Sequence, residues 1–109
     1  MEESTRNMCT CSVIEMNVKV LFKGPISVVT GEEINVKLPD RSRISDLIDF
    51  LRRNYGEIAE KKGLGVVFRD FVAQNIVLIN NRDLSVLNGL NTMLKPGDVI
   101  KVINFTHGG

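Results

Sequence analysis

The spacing of the apolar residues in this chain changes at Ser42, and this change narrows the possible folds more than any other feature. Before it, apolar and polar residues alternate in two segments that begin near Asn17 and Glu33, which is the pattern of half-buried strands. After it, apolar residues recur at spacings of three and four, so they share one face of a helix. They are Ile44, Leu47, Ile48, Leu51 and Tyr55. The chain is therefore expected to form a two-stranded hairpin followed by an amphipathic helix.

Signals for the start and the end of a helix flank this segment. Ser42 or its neighbour is expected to cap the first free amides, and Gly56 is expected to end the helix in the left-handed conformation. Residues 57–75 follow no single period. Residues 57–62 could extend as a short helix, and the apolar residues beyond them suit a helix or a strand equally well. The assignment of this segment stays open.

Three shorter features complete the expected architecture. Residues 76–79 form an apolar run, and Asn80-Asn81 after them is typical of a tight turn that leads into a short strand. Lys95-Pro96-Gly97-Asp98 has proline and glycine where a type II turn prefers them, and residues 99–105 alternate as a last strand. The sequence therefore predicts an α+β domain, with a mixed sheet of four to five strands and one main helix packed across it.

Alternation also assigns the strand residues to two faces of the sheet. The face toward the helix is predicted to form one core with the helix: Val18, Val20, Phe22, Ile34, Val36, Leu38, Ile44, Leu47, Ile48, Leu51, Val77, Ile79, Ile100 and Val102. The opposite face is predicted to carry a partner-binding patch made of Leu21, Leu78, Lys101, Ile103 and Phe105. Scattered apolar residues are common on protein surfaces, so the alternative is that these residues bind nothing.

The length of the chain suits one domain. With 109 residues, it is expected to fold over 13–105, between a disordered extension at 1–12 and a flexible tail at 106–109.

The 14 Lys and Arg and 13 Asp and Glu leave a net charge of +1, which does not favour direct binding to nucleic acid or to a membrane. No apolar run approaches the roughly 20 residues of a membrane helix, and the N-terminus lacks a signal-peptide pattern. A cytoplasmic monomer is expected.

The motifs of common enzymes are missing from the sequence. It has no phosphate-binding Gly-x-x-x-x-Gly-Lys-Ser/Thr loop and no Gly-x-Ser-x-Gly nucleophile elbow. His107 lies in the tail, without a rigid neighbour to hold it as a general base. Cys9 and Cys11 are too close together for an ordinary disulfide and too few for a zinc site, so a reduced segment is expected, with a shared metal or redox role as the alternative. We expect no catalytic activity, no metal and no bound cofactor.

The ending Gly108-Gly109 is the feature that points to chemistry. Glycine has no Cβ, so two glycines after a strand make a thin arm that can pass through a narrow channel. The arm ends in the carboxylate of Gly109, which becomes an acyl donor only after an enzyme with ATP attaches a leaving group to it. Because the sequence ends at Gly109, we expect this carboxyl group to react without trimming.

The residues Leu94-Lys95-Pro96-Gly97-Asp98-Val99-Ile100 lie a short way before the two glycines. Together with the strand order and the helix face, they resemble the β-grasp sulfur carriers and ubiquitin-like modifiers, in which a Leu-x-x-Gly-Asp-x-Val/Ile turn opens the last strand. The resemblance covers residues 17–109, and its nearest branches are the ubiquitin-related modifiers, the small archaeal modifiers and the small subunit of molybdopterin synthase. Residues 77–81 and the ending His107-Gly108-Gly109 are similar to the first of these branches.

The resemblance implies a function for Gly109. An enzyme of the ubiquitin-activating type would consume ATP to adenylate its carboxylate, which would then become a thiocarboxylate. The sulfur would pass to a pterin precursor on the molybdopterin synthase large subunit, or to tRNA through a tRNA thiolase, or the activated carboxyl would be joined to lysines of target proteins. Ubiquitin carries an arginine shortly before its glycines, whereas this tail reads Phe105-Thr106-His107, so the resemblance favours the sulfur carriers over ubiquitin.

Two other functions compete with this one. A β-grasp interaction module would bind partners through its sheet and never use Gly109, so blocking the C-terminus would leave it active. A nucleic-acid-binding β-grasp domain is disfavoured by the near-neutral charge and by the lack of a basic stripe with interleaved aromatic residues.

Overall fold

The structure, a computed structural model, describes residues 15–104. Five strands form one sheet: β1 (Glu15–Lys23), β2 (Glu33–Pro39), β3 (Asn75–Ile79), β4 (Arg82–Asp83) and β5 (Val99–Asn104). The helices are α1 (Ser27–Thr30), α2 (Ile44–Lys61), α3 (Gly65–Arg69) and α4 (Phe71–Gln74). Two 3₁₀ turns, Leu84–Val86 and Gly89–Asn91, precede β5. The predicted domain boundaries at residues 13 and 105 lie outside the described residues and stay predictions.

The sheet has the strand order β2-β1-β5-β3-β4. β1 and β5 run parallel, whereas the other three neighbouring pairs are antiparallel, so the sheet is mixed. β1 and β2 form the expected hairpin, but the connection between them contains α1 and the fully buried Ile26. The predicted α+β class, with one main helix across a mixed sheet, is confirmed.

The core lies between the sheet and α2. The residues predicted for it are buried there, except Ile34, which is half-buried near the start of the edge strand β2. The core also contains residues that the sequence analysis did not assign to it: Met16, Ile26, Ala59, Val67, Phe68, Phe71, Leu84 and Leu94. Most of these come from the connections, where no strand or helix period marks the inward face.

The prediction that Gly56 ends the main helix is wrong. α2 continues to Lys61, and Gly63, with a φ of +77°, follows its end. The continuation buries Ala59 and packs the last turns of α2 against α3. A glycine inside a helix costs only about 1 kcal/mol relative to alanine, and this packing outweighs it.

Of the two positions expected for the cap, Ser42 or its neighbour, the neighbour is the N-cap residue, because the Ser42 hydroxyl donates to a carbonyl oxygen three residues earlier at 2.7 Å. Arg43 is the N-cap residue, and its backbone N–H donates to the carboxylate of Asp46 at 2.8 Å. The N–H of Ile44 donates to the carbonyl oxygen of Thr92 at 3.0 Å. The first turn of α2 is therefore satisfied by an acidic residue of its own and by the segment that precedes β5.

Residues 57–75, which the sequence left unassigned, form the last turns of α2, the two short helices α3 and α4, and the first residue of β3. Val67, Phe68 and Phe71 are buried, and the rings of the two phenylalanines are tilted by 56° with their centroids 6.0 Å apart. Val66 and Val72 are exposed. The segment thus extends the core beyond the sheet and leads directly into β3.

Both predicted tight turns are confirmed. Asn80 and Asn81 have φ angles of 51° and 70°, as a two-residue type I′ turn requires. In the later turn Gly97 has a φ of +84°, and the N–H of Asp98 donates to the carbonyl oxygen of Lys95 at 3.1 Å. This is the geometry of a type II turn, and β5 begins directly after it.

Candidate functional site

Outward-facing residues of three neighbouring strands adjoin on the sheet face away from α2. The register places Leu21 beside Lys101, and Lys101 beside Leu78, so the three side chains form one row across β1, β5 and β3. All three are half-buried. The structure therefore brings these predicted partner-binding residues together, while their role in binding stays a prediction.

A second row extends this surface toward the end of β5. Ile103, also half-buried, lies between Lys23 of β1 and Ile76 of β3, and Ile76 is 40% exposed. Val99 adds a half-buried apolar side chain at the start of β5. Neither Ile76 nor Val99 was predicted for this surface, although the same alternation turns both of them outward.

We call this set of residues the outer-face surface: Leu21, Ile76, Leu78, Val99, Lys101 and Ile103. Glu33 on β2 and Asp83 on β4 flank opposite ends of its first row, and the Lys19 ammonium lies 3.6 Å from the Glu33 carboxylate. Ser85 donates its backbone N–H to Asp83 at 2.8 Å, and hydrogen bonds from Ser85 hold the pKa of Asp83 below its usual value. Apolar side chains around one lysine, with a charged rim, suit a protein-docking surface.

β5 leads from the outer-face surface toward the predicted reactive end of the chain. Asn104 directly follows Ile103 and is the last described residue. The remaining residues that the sequence analysis singled out lie outside the described range: Cys9, Cys11, Phe105, His107, Gly108 and Gly109.

Grooves, metal sites and membrane helices are the other features that could carry a function away from the predicted site residues. Two grooves of about 460 and 450 Å³ adjoin α4 and share Val72 and Leu90. Within residues 15–104, no group of three or more His, Cys, Asp and Glu side chains is arranged to hold a metal ion. Over the same part of the chain, no helix combines the length and the apolar character needed to cross a membrane.

A mixed five-stranded sheet that carries one main helix, with a strand at its centre leading to two glycines, defines the class as a ubiquitin-like carrier domain. Comparison with known proteins agrees. The ThiS family matches residues 20–109, so the chain belongs to the ThiS family of ubiquitin-like sulfur carriers. The protein is therefore a carrier or modifier and not itself an enzyme.

One relative by sequence and two solved structures are similar to this chain. Ubiquitin-related modifier 1 of Candida glabrata is 29% identical over 99 residues, which cover 86% of this chain and 99% of that protein. Small archaeal modifier protein 1 from Methanosarcina acetivorans has a TM-score of 0.64 at 20% identity, covering 88% of this chain and 99% of that one. A third similar protein is a chain in the complex of subunits 1 and 2 of molybdopterin-converting factor from Helicobacter pylori. It has a TM-score of 0.54 at 24% identity, and the match covers 86% of this chain and 100% of that one. These likenesses confirm the β-grasp fold.

Proposed function

We propose that this protein carries sulfur, or joins itself to other proteins, through the carboxylate of Gly109. The observation that carries the proposal is the extent of the family match, which runs through Gly108 and Gly109 and does not stop with the folded domain. Two glycines accept backbone angles that other residues avoid and present no side chain. Such a tail can bring a carboxylate beside a nucleotide that lies at the end of a narrow channel.

The proposed chemistry begins on an activating enzyme of the ubiquitin-activating type. A carboxylate oxygen of Gly109 attacks the α-phosphorus of ATP, and pyrophosphate leaves. A sulfide equivalent from a sulfur donor then attacks the carbonyl carbon of the acyl adenylate, and AMP leaves with one of the original carboxylate oxygens. The product is a thiocarboxylate. If a lysine amine attacks instead, an isopeptide bond forms and AMP leaves in the same way. The enzyme consumes the ATP, and the carrier itself holds no cofactor.

The outer-face surface is the proposed docking site for the activating enzyme. Its first row places the Lys101 ammonium between two leucines, so an acidic side chain of the partner can pair with it inside an apolar contact. A depression of about 300 Å³ beside Leu21, Val99 and Lys101 can receive a side chain of the partner. Because Ile103 directly precedes Asn104, docking through this surface also brings the start of the tail to the enzyme.

The activated carboxyl group needs an acceptor, and the relatives suggest two kinds. Two of them are named as modifiers, and the Helicobacter protein forms a complex with a second subunit of molybdopterin-converting factor. We therefore propose a sulfur-accepting enzyme, either the molybdopterin synthase large subunit or a tRNA thiolase, and lysines of target proteins as acceptors. The carrier would contact these proteins in the cytoplasm as a free monomer, without binding nucleic acid or a membrane directly.

The test measures ATP-dependent exchange of radiolabelled pyrophosphate with the full chain and the activating enzyme purified from the same cells. Wild-type protein is expected to support exchange, deletion of Gly109 to abolish it, and Gly108→Trp to obstruct the channel. Gly56→Ala is the matched control, because it changes a glycine inside α2 where the added Cβ has room. This control should exchange as the wild type does.

Intact-mass measurement of the protein from its own cells provides a second readout. A fraction of the chains should carry sulfur in place of one terminal oxygen. If the Gly109 deletion supports exchange and sulfur transfer as well as the wild type does, the carrier function is rejected. The interaction module that docks through its sheet would then take its place.

A further inference from the structure

An amide occupies the last core-facing position of β5. The inward-facing residues of β5 are Ile100, Val102 and Asn104, and their register partners on β3 are, in the same order, Ile79, Val77 and Asn75. Two apolar rungs are therefore followed by a rung of two asparagines at the end of the sheet where the tail begins. Asn75 is 6% exposed and Asn104 is 4% exposed, so both amides belong to the interior.

The two amides donate to backbone carbonyl groups of α3 and α4. Nδ2 of Asn75 donates to the carbonyl oxygen of Phe71 at 2.8 Å and to that of Val67 at 3.3 Å. Nδ2 of Asn104 donates to the carbonyl oxygen of Gln74 at 3.1 Å. Carbonyl groups at the end of a helix lack a donor from the helix itself, so these side chains supply one. Asn104 thereby ties the end of β5 to the end of α4.

Core packing alone does not account for an amide at this position. The Oδ1 atoms of Asn75 and Asn104 are buried and accept no hydrogen bond from the described residues. Burying an acceptor without a donor is unfavourable relative to burying an apolar side chain. A valine at position 104 would continue the apolar rungs of β5, so the amide points to a role beyond packing.

Gly24, which follows β1, packs against Asn104 on the side opposite β3. The register that pairs Lys23 with Ile103 places Gly24 opposite Asn104. Gly24 has a φ of +94°, and a Cβ at this position would collide with the backbone carbonyl oxygen of Asn104. The carbonyl carbon of Asn104 carries the bond to residue 105. The group from which the tail starts is therefore packed directly against the Gly24 backbone.

We infer that Asn104 is a positioning residue, which fixes the direction in which the tail leaves the sheet. Pairing with β3, the hydrogen bond to Gln74 and the contact with Gly24 together hold its backbone angles. Gly109 lies only five residues beyond it, so an error in the starting direction displaces Gly109 instead of being averaged over a long linker. The inference rests on the proposed function, because it concerns delivery of Gly109 to ATP from a chain docked through the outer-face surface.

The first test compares two variants with a control in the pyrophosphate-exchange assay. Asn104→Val introduces an apolar residue that suits a strand and removes the donor, whereas Asn104→Asp keeps the shape but replaces the donor with an acceptor. Asn54→Asp is the control, because Nδ2 of Asn54 makes a comparable bond of 2.7 Å to the carbonyl oxygen of Phe50 on α2. In chains shown to be folded by circular dichroism, both Asn104 variants should keep KM within about twofold and lose kcat by about tenfold. The control should change neither.

The second test examines the tail in the free chain and needs no enzyme. NMR relaxation of the residue 105 amide should show a lower order parameter in Asn104→Val than in the wild type. In the exchange assay, one glycine inserted between His107 and Gly108 adds about 3.5 Å of reach. It should lower kcat strongly in the wild type and weakly in Asn104→Val, because a loosened start makes the length less critical.

The outcomes separate the inference from the proposed function. An unchanged kcat in folded Asn104→Val, an unchanged order parameter, or strictly additive effects of insertion and substitution would overturn the role of Asn104. A wild-type chain without Gly109-dependent exchange would instead overturn the proposed function. In that case the order parameter alone decides whether Asn104 fixes the start of the tail.

Discussion

Asn80 and Asp98 belong to different turns, and Nδ2 of Asn80 donates to Oδ1 of Asp98 at 3.0 Å. The other carboxylate oxygen of Asp98 accepts the N–H of Lys95 at 2.9 Å, and Oδ1 of Asn80 accepts the N–H of Val99 at 3.0 Å. The aspartate of the Gly97-Asp98 motif therefore fastens the turn before β5 to the turn after β3. This junction explains in physical terms why an aspartate suits that position of the motif.

Asp98→Ala should loosen this junction. The Asn80 amide and the Lys95 N–H both lose their acceptor, and two hydrogen bonds of ordinary net strength correspond to a loss of about 1–2 kcal/mol in the free energy of unfolding. Urea denaturation measures the change. Asp40→Ala, which alters an exposed aspartate between β2 and α2, is the control and should shift the free energy of unfolding by less than about 0.5 kcal/mol. Equal denaturation midpoints for the two variants would show that the junction contributes nothing.

Gly24→Ala should destabilise the fold more than Gly31→Ala does. The two glycines have similar φ angles, +94° and +85°, which L side chains rarely adopt, so both alanine variants carry backbone strain of about 1–3 kcal/mol. Only at Gly24 does the added Cβ meet backbone atoms, those of Asn104, whereas the space at Gly31 is open. The difference between the two unfolding free energies measures the close approach to Asn104. Equal losses would contradict that approach.

Ile103→Asp should weaken binding to the activating enzyme about tenfold or more, because a carboxylate in the outer-face surface would have to lose its water on docking. The fold should survive, since Ile103 faces away from the core. Isothermal titration calorimetry gives the Kd. Val86→Asp, at a 72% exposed residue outside this surface, is the matched control and should bind as the wild type does. Equal Kd values for the two variants would remove the surface from consideration.

Acid should remove a contribution that Asp83 makes to stability. Hydrogen bonds from the Ser85 backbone and side chain lower the pKa of Asp83 in the folded chain. A group with a depressed folded pKa stabilises the fold above its unfolded pKa, and this stabilisation disappears as the pH falls through the folded pKa. Asp83→Asn cannot titrate, so its unfolding free energy should depend less on pH in the acid range. An NMR titration that gives Asp83 the pKa of an unstructured aspartate would refute this assignment.

The sheet, the main helix and both tight turns could be predicted because each carries a local signal, either a period of apolar residues or the residues of a turn. The end of α2 could not. Gly56 is a local stop signal, but it competes with the burial of Ala59 and the packing of the helix against α3. That contact forms with a separate segment, and the period of the helix says nothing about it.

The same distinction applies to the candidate site. Alternation predicted that Lys101 and Ile103 of β5 face outward, and the register then showed that Leu21 and Leu78 flank Lys101. The pairing of Asn75 with Asn104 had no local signal, because it depends on how β3 aligns with β5. From the sequence alone, an asparagine at a core-facing position indicates the end of a strand, and its role becomes visible only when the residue paired with it on the neighbouring strand is known.

The parallel pairing of β1 with β5 places the earliest and the latest of the described strands side by side in the sheet. During synthesis, β5 leaves the ribosome after the other four described strands, so the nascent chain cannot close the middle of its sheet before then. The row of Leu21, Lys101 and Leu78 runs across β1, β5 and β3. It therefore forms only when β5 has paired with both of its neighbours. A product truncated before β5 would lack the surface as well as the tail. An activating enzyme that docks there would therefore select translated and folded chains without a separate proofreading step.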